Sequence, residues 1–171
     1  MTLEQALQGS PAPPEILATQ TLIDLPYLDF GGEIQTGFLV AHRDLESEIR
    51  AIFAEILAAH FPIFQLRPTR EFDWDDDLSM AQNNSSAFNY RLKLGKPTLS
   101  HHATGRAIDI NPVQNPYIKA ELVLPPGARY QPEIRGTMLE NGPVVAAFEK
   151  RGWEWGGRWQ KIHDYHHFQK P

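Results

Sequence analysis

The clearest pattern of hydrophobic and polar positions along the chain predicts one amphipathic helix. Apolar residues recur at the 3.6-residue period over 45–57, at positions 45, 49, 52, 53, 56 and 57. Asp44 stands just before this run and is a favoured N-cap residue, and Glu46 and Arg50 have the i,i+4 spacing of an ion pair. We expect the helix to end near His60, because a proline follows, and to pack its apolar face against the core.

Shorter apolar runs predict strands and a second helix. Residues 34–41 and 106–110 are strand candidates, and 64–72 is a strand candidate that a proline interrupts. A second helix should begin at Pro143, since proline is favoured at the first helical position, and should stop at Gly152.

Three segments show no regular period. Residues 1–14 predict an irregular arm because prolines cluster at their end, 73–84 predict a polar loop, and 116–136 predict another loop. Three successive aspartates at 75–77 lack the Asp-x-Asp-x-Asp-Gly spacing of a calcium loop, so a solvated turn is the preferred interpretation. We predict a single domain over 1–171, with 1–14 as its arm.

Composition restricts the chemistry of any metal site. The 171 residues include seven histidines and no cysteine, which excludes disulfides, thiolate metal sites and a cysteine nucleophile. A transition metal would need His and carboxylate ligands. The formal net charge of −5 gives no reason to expect a nucleic-acid partner. The sequence contains no apolar run of about 18 residues, so we expect no membrane span.

Five of the seven histidines fall in two short clusters, each with a carboxylate nearby. In the first, His101 and His102 precede Gly105, which permits a tight turn, and Asp109 follows on the predicted strand. Ala107 shares a strand face with Asp109 and leaves room for a metal. This arrangement fits either a metal site or a polar turn in which the aspartate caps backbone amides.

The second cluster lies near the end of the chain, where Asp164 precedes His167 by three residues. A histidine in this pattern can bind a metal that lowers the pKa of a water ligand, while the carboxylate accepts the proton. Nearby tryptophans and the pair Gly156-Gly157 could line a cleft or simply pack in the core. His42 and His60 stand alone and are read as structural.

Together these segments resemble one family. The pattern Ser-x-His-x-x-Gly-x-Ala-x-Asp over 100–109, then Trp-Gly-Gly over 155–157 and Asp-x-x-His-Phe over 164–168, is similar to that of the zinc D-alanyl-D-alanine carboxypeptidases and L-alanyl-D-glutamate endopeptidases. That group includes VanY-like carboxypeptidases and phage endolysins. Residues 84–91 also resemble the serine–aromatic–arginine element of these enzymes, although the spacing here is longer.

The resemblance implies a set of site residues. It maps His102, Asp109 and His167 onto the zinc ligands and Asp164 onto the catalytic carboxylate, and it implies one zinc ion per chain. Arg91 would stabilise the oxyanion or bind a substrate carboxylate, for which Arg106 and Arg158 are alternatives. Substrate contacts are assigned to Ser86, Ser100 and Trp155. His101 and His166 are treated as neighbours of the site, although the doubled histidines leave a one-residue ambiguity.

The implied fold is α+β, with a small, mainly antiparallel sheet carrying the zinc and helices packed on its other face. The implied activity is hydrolysis of peptide bonds involving D-amino acids in peptidoglycan stem peptides, with a D-alanyl-D-alanine carboxypeptidase preferred. Endopeptidase and dipeptidase activities remain open. A hypothesis of another class is a non-catalytic zinc module, as in the hedgehog signalling domain, but the retained Asp164 argues against it.

The implied substrate also gives an expectation about location. Peptidoglycan lies outside the cytoplasmic membrane, so we expect action in the cell envelope or periplasm, although no signal peptide is visible at the start. The stem peptide is the expected partner, and a monomer is expected.

Overall fold

The computed structural model describes residues 1–171, which form five helices and ten strands with short 3-10 turns between them. The helices are α1 (Leu3–Leu7), α2 (Pro14–Leu17), α3 (Glu46–Ala58), α4 (Asp76–Ala81) and α5 (Pro143–Glu149). The strands are β1 (Gln20–Leu28), β2 (Ile34–His42), β3 (Gln65–Leu66), β4 (Asn84–Ser85), β5 (Ala107–Asp109), β6 (Tyr117–Lys119), β7 (Leu122–Leu124), β8 (Glu154–Trp155), β9 (His163–Asp164) and β10 (His167–Gln169).

The strands are distributed over four small sheets. β1 and β2 form an antiparallel hairpin, and β3 and β4 form a parallel pair. The other two sheets are antiparallel, with strand orders β5-β10-β8 and β7-β6-β9. The predicted α+β class is confirmed, and most of the strand pairing is antiparallel, as expected.

The main hydrophobic core joins α3 and α5 to the strands, and a smaller cluster lies under α1. α3 packs on β1 and α5, and α5 packs on the face of the β5-β10-β8 sheet. There Phe148 of α5 stacks on Phe168 of β10, with ring centroids 3.9 Å apart and planes 9° apart. Both rings are fully buried, so the burial of apolar area beneath this sheet stabilises the strands that carry the site.

The predicted first helix is confirmed, but its N-terminus differs. Its apolar positions are buried except Leu57, which is partly buried, and Arg50 donates to Glu46 at 3.0 Å. A 3-10 turn over Arg43–Leu45 precedes it, and there the ring of His42 accepts a hydrogen bond from the backbone of Asp44. The prediction of Asp44 as the N-cap is therefore wrong. A 3-10 turn forms before the helix, and in it the backbone N–H of Asp44 donates to His42 while the Asp44 side chain caps nothing.

The interpretation of 73–84 as a loop is also wrong. α4 lies within it, with the Asp75 carboxylate accepting from the Leu78 backbone N–H at 3.0 Å as N-cap. Asp76 and Asp77 occupy the first turn, where negative charge interacts favourably with the helix dipole. The aspartates that favoured the prediction of a solvated turn thus stabilise the start of a short helix.

Three further segments differ from prediction. The arm over 1–14 is not irregular throughout, because Thr2 and Gln5 form a capping box that starts α1. Residues 64–72 contain only the two-residue β3, followed by a 3-10 turn over Thr69–Phe72. Residues 116–136 contain the β6–β7 hairpin. None of the helices combines the length and the hydropathy needed to traverse a bilayer.

An ion-pair cluster between α3 and the end of α5 predicts acid sensitivity. Hydrogen bonds from Arg151 (2.7 Å) and Lys150 (2.5 Å) lower the pKa of Glu55 from 4.5 to about 2. A carboxylate with a depressed pKa stabilises the fold above its unfolded-state value, and this contribution is lost as pH falls from about 4.5 to about 2. We expect Glu55→Gln to lower the urea midpoint at pH 7 and to have little effect near pH 2.

Urea titrations of both proteins at the two pH values measure this effect. Glu121→Gln is the matched control, because Glu121 is exposed and forms no ion pair. An equal destabilisation by Glu55→Gln at both pH values would contradict the electrostatic origin.

Candidate metal centre

The pairing of β5 with β10 places two candidate ligands side by side. Asp109 and His167 are directly opposite each other in this antiparallel pair. Residues opposite in register project to the same face, so both side chains leave one side of the sheet. Ile108 and Phe168, the next pair, project to the other side and are fully buried in the core. The alternation of strand faces therefore separates the site from the hydrophobic core.

His102 reaches this face from the 3-10 turn over His101–Thr104 that precedes β5. The Ser100 hydroxyl accepts from the backbone N–H of His102 at 3.3 Å and caps the turn. Gly105 ends the turn with a φ of +69°, a conformation that glycine adopts without steric cost. Its carbonyl accepts from the backbone of His42 at 2.9 Å, which joins the turn to β2. The predicted tight turn at Gly105 is present.

The three side chains converge on one point. Nε2 of His102 lies 3.1 Å from Oδ2 of Asp109 and 3.1 Å from Nδ1 of His167. Nδ1 of His167 lies 3.0 Å from Oδ1 of Asp109. All three residues are buried, and together they could hold a metal ion.

This donor set fits zinc. Two imidazole nitrogens and one carboxylate oxygen are typical zinc ligands, and tetrahedral bonds of about 2.0–2.1 Å separate neighbouring donors by roughly 3.3 Å. Nδ1 of His102 lies 2.5 Å from the carbonyl oxygen of Ala87. A carbonyl only accepts, so this nitrogen donates its proton and Nε2 keeps its lone pair towards the cluster.

The electrostatics of the cluster favour an ionised carboxylate. Burial acts to raise the pKa of Asp109, but the adjacent imidazoles of His102, His166 and His167, when protonated, outweigh it. The pKa therefore lies well below its ordinary range. Asp109 is consequently negative at neutral pH, as a metal ligand must be.

Asp164 is connected to the cluster through His166. Oδ1 of Asp164 lies 2.9 Å from Nε2 of His166, which is also 4.0 Å from Oδ2 of Asp109. The other ring nitrogen of His166 lies 2.8 Å from the carbonyl oxygen of Asn115 and donates to it. Burial acts to lower the pKa of His166, but the two aspartates raise it to about 9. His166 is thus a buried, charged partner of Asp164.

Gly156 makes room for Asp164. A Cβ at this position would lie 2.6 Å from the Asp164 carbonyl oxygen and 2.8 Å from its Cβ. A side chain there would displace the β9 backbone that carries the carboxylate. At Gly157 an added Cβ would overlap the indole of Trp155. The Gly-Gly pair is therefore explained by close packing around Asp164 and Trp155.

The C-terminal part of the chain matches a known family. Residues 94–170 match the family model described as D-alanyl-D-alanine carboxypeptidase. The resemblance to this peptidase family is thereby confirmed. The matched segment is somewhat less than half of the chain. No curated protein and no solved structure matches the chain.

The matched segment 94–170 contains the three clustered residues and Asp164, whereas Arg91 lies just before it. The Arg91 guanidinium is 2.9 Å from Oδ2 of Asp76 on α4, and its Nε is buried without a hydrogen-bond partner. Its backbone carbonyl accepts from Ser100 at 3.0 Å, so the residue lies beside the turn that carries His102. Arg91 is therefore held by α4 through its side chain and by Ser100, at the start of the His102 turn, through its backbone.

The predicted substrate-contacting residues have defined structural contacts. Ser100 caps the His102 turn, and the backbone of Ser86 pairs with that of Asp109 at 3.0 and 2.8 Å. Trp155 is only 3% exposed, and its indole N–H donates to the carbonyl of Tyr165 at 2.9 Å. Its side chain packs in the core under the site, so little of its surface is accessible to a substrate.

One of the tryptophans that could line a cleft borders the centre, and one nearby glutamine escaped the sequence interpretation. The ring of Trp159, which is partly exposed, lies 5.6 Å from that of His167 and borders the centre. Gln169 also contacts His167, with Oε1 3.3 Å from Nε2 of the imidazole. Gln169 lies two residues beyond His167, which is a same-face position once the strand is known.

The doubled histidines are distinguished by the structure. His102 and His167 join Asp109, whereas His101 and His166 do not. His101 is half-buried, and burial with the nearby Lys93 charge lowers its pKa.

Proposed function

We propose that this protein is a zinc-dependent peptidase that removes the terminal D-alanine from peptidoglycan stem peptides. The proposal rests on the buried cluster of His102, Asp109 and His167. Asp164 lies beside this cluster, with the imidazole of His166 between it and Asp109. The family match of residues 94–170 supports the peptide substrate. Three protein ligands leave a coordination position open, as catalytic zinc sites do, whereas structural sites are closed by four.

A bound zinc ion would act as a Lewis acid and lower the pKa of a water ligand. Asp164 would accept the proton from that nucleophile and pass it to the leaving amine. Nε2 of His166 lies 2.9 Å from Oδ1 of Asp164, so the carboxylate has a cationic neighbour outside the ligand set.

Of Arg91 and Arg158, Arg91 better suits substrate binding. Arg158 is bound by Glu149 at 2.6 and 3.1 Å and also by Glu140, so its guanidinium is already neutralised. Arg91 has one carboxylate partner and an unpartnered buried Nε. A planar guanidinium suits the terminal carboxylate of a peptide or the oxyanion that forms during attack.

The proposal predicts one zinc ion per chain, lost in His102→Ala. The matched control is His101→Ala, because the neighbouring histidine lies outside the cluster. Zinc content by mass spectrometry and D-alanine release from a pentapeptide ending in D-Ala-D-Ala, with and without chelator, measure both properties. Wild type and His101→Ala should bind zinc and release D-alanine, and His102→Ala should do neither.

The same assay distinguishes the alternatives. Zinc binding without hydrolysis of any stem peptide would identify a non-catalytic zinc module. Mass spectrometry of digested muropeptides would separate loss of one D-alanine from release of a dipeptide or from cleavage within the stem. Because peptidoglycan is the proposed substrate, we place the activity in the cell envelope or periplasm.

A further inference from the structure

Three side chains form a hydrogen-bonded chain that starts at the candidate centre and ends at the surface. Nε2 of His167 lies 3.3 Å from Oε1 of Gln169, and Nε2 of Gln169 donates to Oε2 of Glu154 at 2.7 Å. Gln169 and Glu154 are opposite each other in the β10–β8 pair, so their side chains share a face. This is the face that carries His167 and Asp109.

The donors and acceptors of this chain can be arranged in only one way. A carboxylate of Glu154 only accepts, so the amide group facing it must be the NH2 of Gln169. The amide oxygen then faces His167, and an amide oxygen also only accepts. Nε2 of His167 must therefore carry a proton, and Nδ1 is left to bind a metal.

The geometry of the ring agrees with this assignment. Nδ1 of His167 is the nitrogen that lies within 3.0–3.1 Å of Asp109 and His102. Opposite Gln169 on β5 stands Ala107, whose small side chain leaves space for the glutamine to extend along the sheet. Trp159 covers another side of the imidazole, at 5.6 Å between ring centroids.

We propose that Gln169, oriented by Glu154, is a positioning residue that fixes His167 as a metal ligand through Nδ1. This inference rests on the proposed function, since it requires zinc at the centre. Hydrogen bonds to the remote nitrogen of a metal-bound histidine hold the ring in its binding tautomer and increase its basicity. The loss of such a contact typically costs about 10- to 100-fold in metal affinity.

Gln169→Leu tests the inference, because leucine has a similar size but cannot accept a hydrogen bond. Competition with a chromophoric chelator should show zinc affinity reduced by about 10- to 100-fold. Gln160→Leu is the matched control, since Gln160 is an exposed glutamine in the same C-terminal segment. It should bind zinc as tightly as wild type does.

The double variant Glu154→Gln/Gln169→Glu separates positioning from packing. A carboxylate at 169 still accepts from His167, and an amide at 154 can donate to it, so the chain of hydrogen bonds is kept with its members exchanged. We expect zinc affinity within about threefold of wild type, a smaller change than the loss of a histidine contact gives. Side-chain ¹⁵N spectra of the zinc-loaded wild type should show a protonated Nε2 on His167.

The possible failures are distinguishable. Absence of zinc from wild type would overturn the proposed function and this inference together. Zinc binding by wild type with equal affinity in Gln169→Leu, or a protonated Nδ1 on His167, would overturn this inference alone. If Gln169→Leu does not fold, weakened zinc binding by the folded double variant would overturn it as well.

Discussion

Replacing Asp164 with asparagine should reduce kcat for D-alanine release by about 10²- to 10⁴-fold, the usual contribution of a general acid–base group. Asparagine has nearly the same shape but cannot take up the proton of the nucleophile. Because Asp164 lies outside the three clustered residues, zinc content should remain at about one ion per chain. Steady-state kinetics and zinc analysis of the same preparation measure the two effects.

Asp77→Asn is the appropriate control for this substitution. Asp77 is an exposed aspartate on α4, it lies outside the matched segment 94–170, and it forms no ion pair. It should leave both kcat and zinc content unchanged. Hydrolysis by Asp164→Asn at the wild-type rate would exclude Asp164 as the proton acceptor.

Phe168→Ala should produce the largest loss of stability, about 3–5 kcal/mol, as expected for truncation of a buried phenylalanine. The ring is fully buried, stacks on Phe148 and lies 6.4 Å from Trp155. Its loss leaves a cavity between α5 and the central strand of the sheet that bears His167. A loss of this size is a large part of the 5–15 kcal/mol typical of a whole domain. Urea unfolding monitored by circular dichroism measures it.

Phe64→Ala provides the comparison for Phe168→Ala. Phe64 is 50% exposed and makes an edge contact with Phe30, so much less apolar area is buried there. Its truncation should cost clearly less. Equal losses for the two variants would show that burial under β10 is not the source of the stability.

The longest helix could be predicted from the sequence because its periodicity extends over several turns, whereas the nine-residue strand β1 was missed. α3 repeats its apolar positions over 13 residues, and α5 follows the proline that starts it. The four- and six-residue helices and the two- and three-residue strands carry no comparable signal. β6 and β7, for example, are defined by pairing with each other and with β9, which local periodicity does not reveal.

The candidate centre was accessible from the sequence only through the family resemblance. His102, Asp109 and His167 span 65 residues, and spacing alone left the first cluster open between a metal site and a polar turn. The interactions around these residues were not accessible in the same way. The ion pair of His166 with Asp164 and the contact of Gln169 with Glu154 depend on strand register and on which face each residue takes. A family motif specifies ligands, whereas their supporting contacts come from the tertiary structure.

The wide sequence separation of the three clustered residues couples metal binding to folding. In the unfolded chain His167 is separated from Asp109 by 58 residues, so the donors are dispersed and the site does not exist. A metal that binds only the native state adds RT ln(1 + [M]/Kd) to the free energy of unfolding, about 4 kcal/mol when its free concentration is 1,000 times Kd. With the proposed zinc bound, the resistance of this fold to denaturation would depend on the free zinc concentration around it.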